Sequence, residues 1–470
     1  MSLFILTPLR GALLAVSLAL AGCAAPVRPP AMASFVVLGE DGAAVARVVT
    51  QGAACPSIRF DQRDAAMAVR APAATIAQRP TESAPADSKP GAFPVLTCEA
   101  PIPAGTAQAT VNGHALPLPR AQVNRIVVIG DTGCRLKKNS SGPEYQDCNL
   151  PAAFPFARVA ALAADWRPDL VVHVGDYHYR ESACPADRPG CAGSPWGYGW
   201  DAWDADFFTP ARKLLDAAPW VVARGNHESC TRAGQGWWRF LDPRLLLAGR
   251  DCNDAANDMK GNFSDPYAVP LGAGAQLIVL DTSATSYKGL AAGDPRMARY
   301  GADYRKMDEL TRRAPYSIAV DHHPLLGFGA VRNKAGEVRL FGGDKGLQDA
   351  YGAVDPGMMP KGVKALLSGH VHLWEQVSFS SEHPTQFVSG FSGTAEDIVP
   401  LPETLAPQDS PAPGAVVASI SSWIDGFGYM TMERAGADAW TVRVWDLDGK
   451  LRNTCAVTGS KSLCEIAHIR

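Results

Sequence analysis

Five short apolar runs in this chain each end in a small cluster of Asp, Asn or His. They are 125–129 before Gly130-Asp131-Thr132-Gly133, 170–174 before Gly175-Asp176, 220–223 before Gly225-Asn226-His227-Glu228, 317–320 before His322-His323-Pro324, and 363–367 before Gly369-His370-Val371-His372. Such runs read as buried strands, and an α/β sheet gathers its site at the carboxyl ends of its strands. Donors far apart in sequence converge there, as a metal ion requires. A single Gly-Asp is a turn, and a single strand-end His is a hydrogen-bonded structural residue. Five such ends, all oxygen or imidazole donors and most beside a glycine that permits close backbone approach, predict a metal centre.

The rest of the pattern gives an α/β class. Phe156, Val159, Ala160 and Ala163 fall at helical spacing within 154–166, and Pro168 ends that helix before the second run, a βαβ unit that implies a parallel core sheet. The run 277–280 reads as another core strand, with Asp281 a turn residue. Segment 35–120 holds short runs at 35–38, 45–50 and 109–111, broken by Glu40-Asp41-Gly42 and Asn112-Gly113, and predicts a small N-terminal β domain. Within it 71–91, rich in Pro, Ala and Ser, reads as a mobile surface loop. A second domain spans 121–470, with a Pro-rich connection at 401–415 and strands in 416–470. Trp196, Tyr198, Trp200 and Trp203 crowd 194–206, where they either line a pocket or pack locally.

At the N-terminus Arg10, an apolar stretch over 11–21 and Leu20-Ala21-Gly22-Cys23 read as an export signal ending in a bacterial lipobox. Residues 1–22 are then removed, Cys23 becomes the lipid anchor, and 23–34 form a tether. No later run is long and apolar enough to span a bilayer. Losing Arg10 leaves 43 Lys and Arg against 47 Asp and Glu, which gives no electrostatic reason to expect nucleic acid or an anionic membrane surface as partner. Apart from Cys23 there are ten cysteines, an even number that reads as disulfides in an exported chain; no Cys-x-x-Cys suggests a thiolate zinc site. Sequence does not fix the connectivity, but near neighbours suggest 134–148, 184–191, 230–252, 455–464 and 55–98; the first three fall in loops directly after ligand clusters, where they would stiffen the walls of the site.

The order Gly-Asp-x-Gly, Gly-Asp-x-x-Tyr, Gly-Asn-His-Glu, His-x-Pro and Gly-His-x-His resembles that of the calcineurin-like metallophosphoesterases, and among them the purple acid phosphatases, over residues 125–394. The resemblance implies a four-layer α/β/β/α sandwich, its second sheet completed by strands in 416–470, and two metal ions. It makes Asp176 the bridge between them. Asp131, Tyr179 and His372 complete one site, and Asn226, His322 and His370 the other. His322 is chosen over His323 because the family's ligand lies two residues before the proline, here Pro324. A Tyr179 phenolate suits ferric iron beside a divalent Fe, Zn or Mn ion; with Tyr179 as an ordinary pocket residue, two divalent ions fit instead. The resemblance makes His227 the group that contacts phosphate and protonates the leaving oxygen, its alternative being a structural histidine. His178 and His323 are further candidates for binding phosphate oxygens, while His114, His173, His383 and His468 read as structural.

Phosphate esters hydrolyse slowly because an anionic centre repels nucleophiles and the alkoxide leaves poorly. Two cations about 3.5–4 Å apart neutralise the phosphate and acidify a water. The expectation is an exported, lipid-anchored dinuclear phosphatase that hydrolyses phosphomonoesters by attack of a metal-bound hydroxide, with a small phosphorylated substrate. One alternative is the same site acting on diesters, nucleotides or diphosphates. Another is a non-catalytic metal- or phosphate-binding surface lipoprotein, whose sign would be a lost ligand or a lost His227; neither is missing.

Overall fold

The computed structural model describes residues 31–467 apart from 140–141, 396–397, 403–404 and 407, together with Met1. The signal, most of the tether with Cys23, and His468 lie outside the described residues. Two large sheets, of eleven and seven strands, organise the described chain. In the first, Arg125–Ile129, Leu170–His173 and Trp220–Val222 run parallel side by side. In the second, Ala275–Val279, Tyr316–Val320, Val363–Ser368 and Thr385–Ser389 do the same. All five motif-bearing runs are therefore strands, each followed by its cluster at the carboxyl end.

Their continuous apolar character follows from burial on both faces. Along Arg125–Ile129, Ile126 and Val128 point between the sheets, where they join Ile318, Val320, Leu367 and Phe387. Val127 and Ile129 point the other way, onto helices Phe156–Asp165 and Thr209–Ala217 through Phe156, Val159 and Leu214. The second sheet packs its outer side chains, among them Ile278 and Leu366, against Tyr300, Met307, Leu347 and Tyr351 of helices Pro295–Thr311 and Lys345–Gly352. Each such buried side chain contributes about 1.5–3 kcal/mol. Asp281, after Ala275–Val279, accepts from the backbone N–H and hydroxyl of Ser283 and so serves the turn.

The expected boundary near residue 120 does not interrupt the sheet. Ala31–Leu38 pairs parallel with Trp220–Val222, and Ala44–Thr50, Leu96–Pro101 and Ala68–Ala71 follow in order. The reason lies in Phe35, Val36 and Val37, which send apolar side chains to both faces, as a central strand must. Ser57–Phe60, Arg63–Ala66, Ala109–Val111 and His114–Ala115 form a separate four-stranded sheet. At the other end of the chain, Val417–Trp423 joins the second sheet as expected, but the four later strands extend the first. Gly428–Arg434 pairs antiparallel with Arg125–Ile129, placing Met430 and Met432 in the core between the sheets. Segment 71–91 is tied down rather than free: Ala74–Ile76 pairs with Gly91–Phe93, the Ser83 hydroxyl lies 3.0 Å from that of Tyr198, and Glu82 N–H donates to Thr231 O at 2.9 Å.

All five expected disulfides are formed. No described helix is long and apolar enough to cross a membrane.

Candidate metal centre

The turn that leaves each strand is where donors are aimed. Asp131, Asp176 and His370 adopt left-handed backbone, with φ of 52°, 57° and 70°, a conformation rarely taken by residues with a Cβ and one that concentrates at functional sites. The turns are laced together: Asp131 N–H donates to Gly175 O at 3.0 Å, Thr132 N–H to Asp176 O at 2.9 Å, and Gly369 N–H to His322 O at 3.0 Å. The motif glycines are required by contact between clusters. A Cβ on Gly225 would fall 2.0 Å from Asp176 Oδ1, and one on Gly369 2.5 Å from Asp131 Oδ2.

Two groups of donors result. Tyr179 Oη lies 3.0 Å from Asp131 Oδ1, 2.8 Å from Asp176 Oδ2 and 2.9 Å from His372 Nε2. Asn226 Oδ1 lies 3.0 Å from both His322 Nε2 and His370 Nδ1. Asp176 touches both groups, since its Oδ2 is also 3.1 Å from His322 Nε2. Asp131, Asp176 and His322 offer ligand atoms mutually within 4.8 Å, as do His322, His323 and His370. The seven residues named from the sequence are thus brought together.

The donor set fits cations. The Tyr179 hydroxyl has one proton for two carboxylates and an imidazole, so acceptors are left facing acceptors. His322 Nδ1 donates to Val174 O at 2.9 Å, which turns the lone pair of Nε2 toward Asp176 and Asn226. In that position Nε2 can take a metal ion or a proton. Burial opposes that proton, but the Asp176 carboxylate beside it prevails and raises the imidazole pKa to about 9. Asp176 is held well below the usual carboxylate range, burial being outweighed by His322 and then His227. Burial and the two carboxylates push the Tyr179 phenol well above its ordinary pKa, so a phenolate there needs a strongly acidic cation.

His227 stands beside this centre. Its backbone N–H donates to Asp176 Oδ1 at 2.8 Å, its Nε2 is 3.9 Å from Asp176 Oδ2, and its ring centre lies 3.8 Å from that of Tyr179, tilted by 33°. Nδ1 sits 2.9 Å from Glu181 Oε1, at ion-pair distance though off the line of a good hydrogen bond. His323 holds Thr282 through Nδ1 at 3.0 Å, and its ring centre lies 4.4 Å from that of His370, tilted by 46°. His178 is not part of the cluster: its Nε2 meets Gly197 O at 2.9 Å, and its ring packs beside Tyr198 and Trp203. Tyr198, Trp200 and Trp203 are buried against the helices of the first sheet, so the aromatic segment packs locally.

Several positioning residues were not expected. Glu228 closes the motif that begins at Gly225, and its carboxylate accepts four backbone N–H groups, from Gly225, Asp176, Tyr177 and His178, at 2.9–3.2 Å. Asp206, fully buried, accepts from the N–H of Cys134, Tyr179 and Arg180 and from Arg180 Nε. It thereby fastens the loop after the first motif strand to the loop after the second. Arg135 Nη2 lies 2.6 Å from His372 Nδ1, which is also 3.1 Å from Ala395 O, and Arg232 Nε donates to Glu181 at 2.6 Å. His173, read as structural, links Thr132 Oγ1 at 2.9 Å to the N–H of Gly175. Glu228 stood inside a quoted motif; Asp206 and Arg135 carry no signature.

Two cavities meet over His370. One, of about 630 Å³, is lined by Asn226, His323, Arg232 and Arg296 together with Phe263 and Tyr287. The other, of about 940 Å³, is walled by the hairpin 328–342 and residues 410–416.

No curated protein is significantly similar in sequence. Among solved structures, a purple acid phosphatase from yellow lupin (Lupinus luteus) seeds aligns with a TM-score of 0.51 at 15% identity, over 93% of this chain and 74% of that one. The structure of PhoD aligns with a TM-score of 0.52 at 11% identity, over 93% and 92%. At such identities the likeness is one of fold. The sequence itself matches the family model "Calcineurin-like phosphoesterase" over residues 124–373, a span that contains all five motif strands. The chain belongs to the calcineurin-like phosphoesterases and is a phosphoric ester hydrolase.

Proposed function

We propose that this enzyme is an exported dinuclear phosphatase that releases phosphate from phosphomonoesters. The observation that carries the reading is the sharing of Asp176 Oδ2 between the Tyr179 hydroxyl at 2.8 Å and His322 at 3.1 Å, which gives one carboxylate to two donor groups. Asp131, Tyr179 and His372 hold one ion with Asp176; Asn226, His322 and His370 hold the other. Bound there, the ions supply Lewis acidity toward the phosphate and a water acidified to near neutrality.

His227 delivers the proton to the leaving oxygen. Burial and Arg232 keep it neutral in the free protein, its pKa pushed down to about 3, and a phosphate dianion beside it opposes both effects. Glu181, shared with Arg232, lies 2.9 Å from Nδ1 on the side of the ring away from the centre, and Nε2 faces Asp176. Ferric iron with a divalent partner would fit this set, because a Tyr179 phenol raised by burial and by Asp176 and Asp131 would be a phenolate only beside a strongly acidic cation. The five disulfides support an oxidising compartment, and Cys23 supplies the lipid anchor.

Metal analysis joined to a substrate panel tests the reading. Two equivalents of metal and faster turnover of monoesters than of diesters or nucleotides are expected. One equivalent, or a preference for diesters, overturns it.

A further inference from the structure

We propose that the larger cavity is a subsite for an apolar alkyl or aryl group carried by the phosphate ester. The inference rests on the phosphatase reading of the adjoining centre. Its walls come from two segments that the chemistry of the metal centre leaves unexplained. One is the hairpin Phe328–Arg332 and Val338–Gly342, in which Gly329 pairs with Phe341 and Val331 with Arg339. Directly paired residues share a face, so Val331 and Phe341 stand side by side, each with 42% of its surface exposed. The other wall is the end of the Pro-rich connection with the residue that follows it, presenting Pro411, Pro413 and Val416, the last 57% exposed.

Exposed apolar side chains on facing walls mark a binding surface when they are contiguous and held in place. Both conditions are met. A Cβ on Gly329 would fall 2.0 Å from the Phe341 ring, so the ring lies directly over the glycine backbone. A Cβ on Gly342 would fall 2.5 Å from Pro411 O, so the two walls touch at the base of the groove. Gln348 Nε2 fastens them by donating to Pro411 O at 2.7 Å and to Leu325 O at 3.0 Å. Proline rings present carbon without an N–H to satisfy, which suits an apolar wall.

The occupant is chosen by continuity. Tyr287, Asp344 and His370 border both cavities, so a phosphate at His370 sits where they join. The smaller cavity holds Arg232 and Arg296, ion-paired to Glu181 and Asp294, whereas the larger presents Val331, Phe341, Pro411, Pro413 and Val416 along its walls, with Lys345 and Asp344 at its edge. An ester group directed away from the arginines enters the apolar groove.

Calorimetry with phosphonates that cannot be hydrolysed separates this proposal from the reaction assignment. Methyl-, decyl- and naphthylphosphonate are titrated into the metal-loaded protein below micelle-forming concentrations. Each buried methylene tightens binding about fourfold, so decylphosphonate should bind at least tenfold more tightly than the methyl compound; a gain confined to naphthylphosphonate identifies an aryl subsite instead. Val331→Asp and Phe341→Asp, on opposite strands of an exposed hairpin, and Val416→Asp on the facing wall should each erase that gain while leaving methylphosphonate affinity unchanged. No gain in the wild type for either apolar compound, or a gain that survives all three substitutions, overturns the proposal. A gain that the substitutions erase in a protein without monoesterase activity upholds the groove and overturns the phosphatase reading.

Discussion

Removing the Asp206 carboxylate should cost the fold about 3–5 kcal/mol, the range for breaking one partner out of a buried ion pair. The figure follows from what the carboxylate holds. It accepts three backbone N–H groups and Arg180 Nε, the last at 2.5 Å, and the Arg180 side chain is 4% exposed. In Asp206→Ala the guanidinium is left charged and dry, and the N–H groups of Cys134, Tyr179 and Arg180 lose their acceptor. Against the 5–15 kcal/mol typical of a folded domain, this is a substantial fraction. Asp206→Asn keeps the shape but turns two donors against an amide NH2, for about 1–3 kcal/mol. Equilibrium unfolding in guanidinium measures both. The variants should also bind metal more weakly, because Asp206 sets the loop that carries Tyr179. A loss under about 1 kcal/mol in Asp206→Ala, with metal content unchanged, would refute the argument that this residue clamps the two loops.

Asp176→Ala should strip both ions, and a folded variant that retains two equivalents by elemental analysis rules out the bridging role. Tyr179→Phe should abolish the visible absorption of a tyrosinate bound to ferric iron; an oxidised wild type without such a band removes the ferric assignment. His227→Ala should lower kcat by about 10²–10⁴ with metal content intact, and unchanged turnover excludes it from proton transfer. Glu375, fully buried, has its carboxyl pushed up by burial to about 8 from an ordinary 4.5. The unfolded chain therefore releases this proton first, and the wild type loses stability as pH rises from about 4.5 toward 8. Glu375→Gln cannot titrate, so its melting temperature relative to wild type should be near parity at pH 5 and higher at pH 8. A difference independent of pH contradicts the burial argument.

What could be read from the sequence was whatever repeats a local rule. The five strand ends were legible because a strand buried on both faces must be apolar throughout and a metal centre must be polar at its end. The disulfide partners were suggested by near-neighbour spacing, which leaves connectivity open and says least about Cys55 and Cys98, 43 residues apart. Asp206 was not, since its role depends on two loops meeting more than twenty-five residues away. The sheet assignment of Phe35–Leu38 and of the strands after 424 was not legible either. An apolar run declares that it is buried, but not between which neighbours. His178 illustrates the opposite error: it lies two residues after Asp176, yet its ring turns away toward Tyr198.

The left-handed backbone at residues 131, 176 and 370 sets stability against function at those positions. Each such conformation costs of order 1–3 kcal/mol for a residue with a side chain, and glycine would relieve it. Yet glycine carries no donor, so relief at any of the three positions removes a ligand. Selection for a more stable chain and selection for a filled centre therefore pull in opposite directions at residues 131, 176 and 370. A library screened for heat resistance alone should drift toward glycine there, yielding sturdier proteins that no longer hold metal.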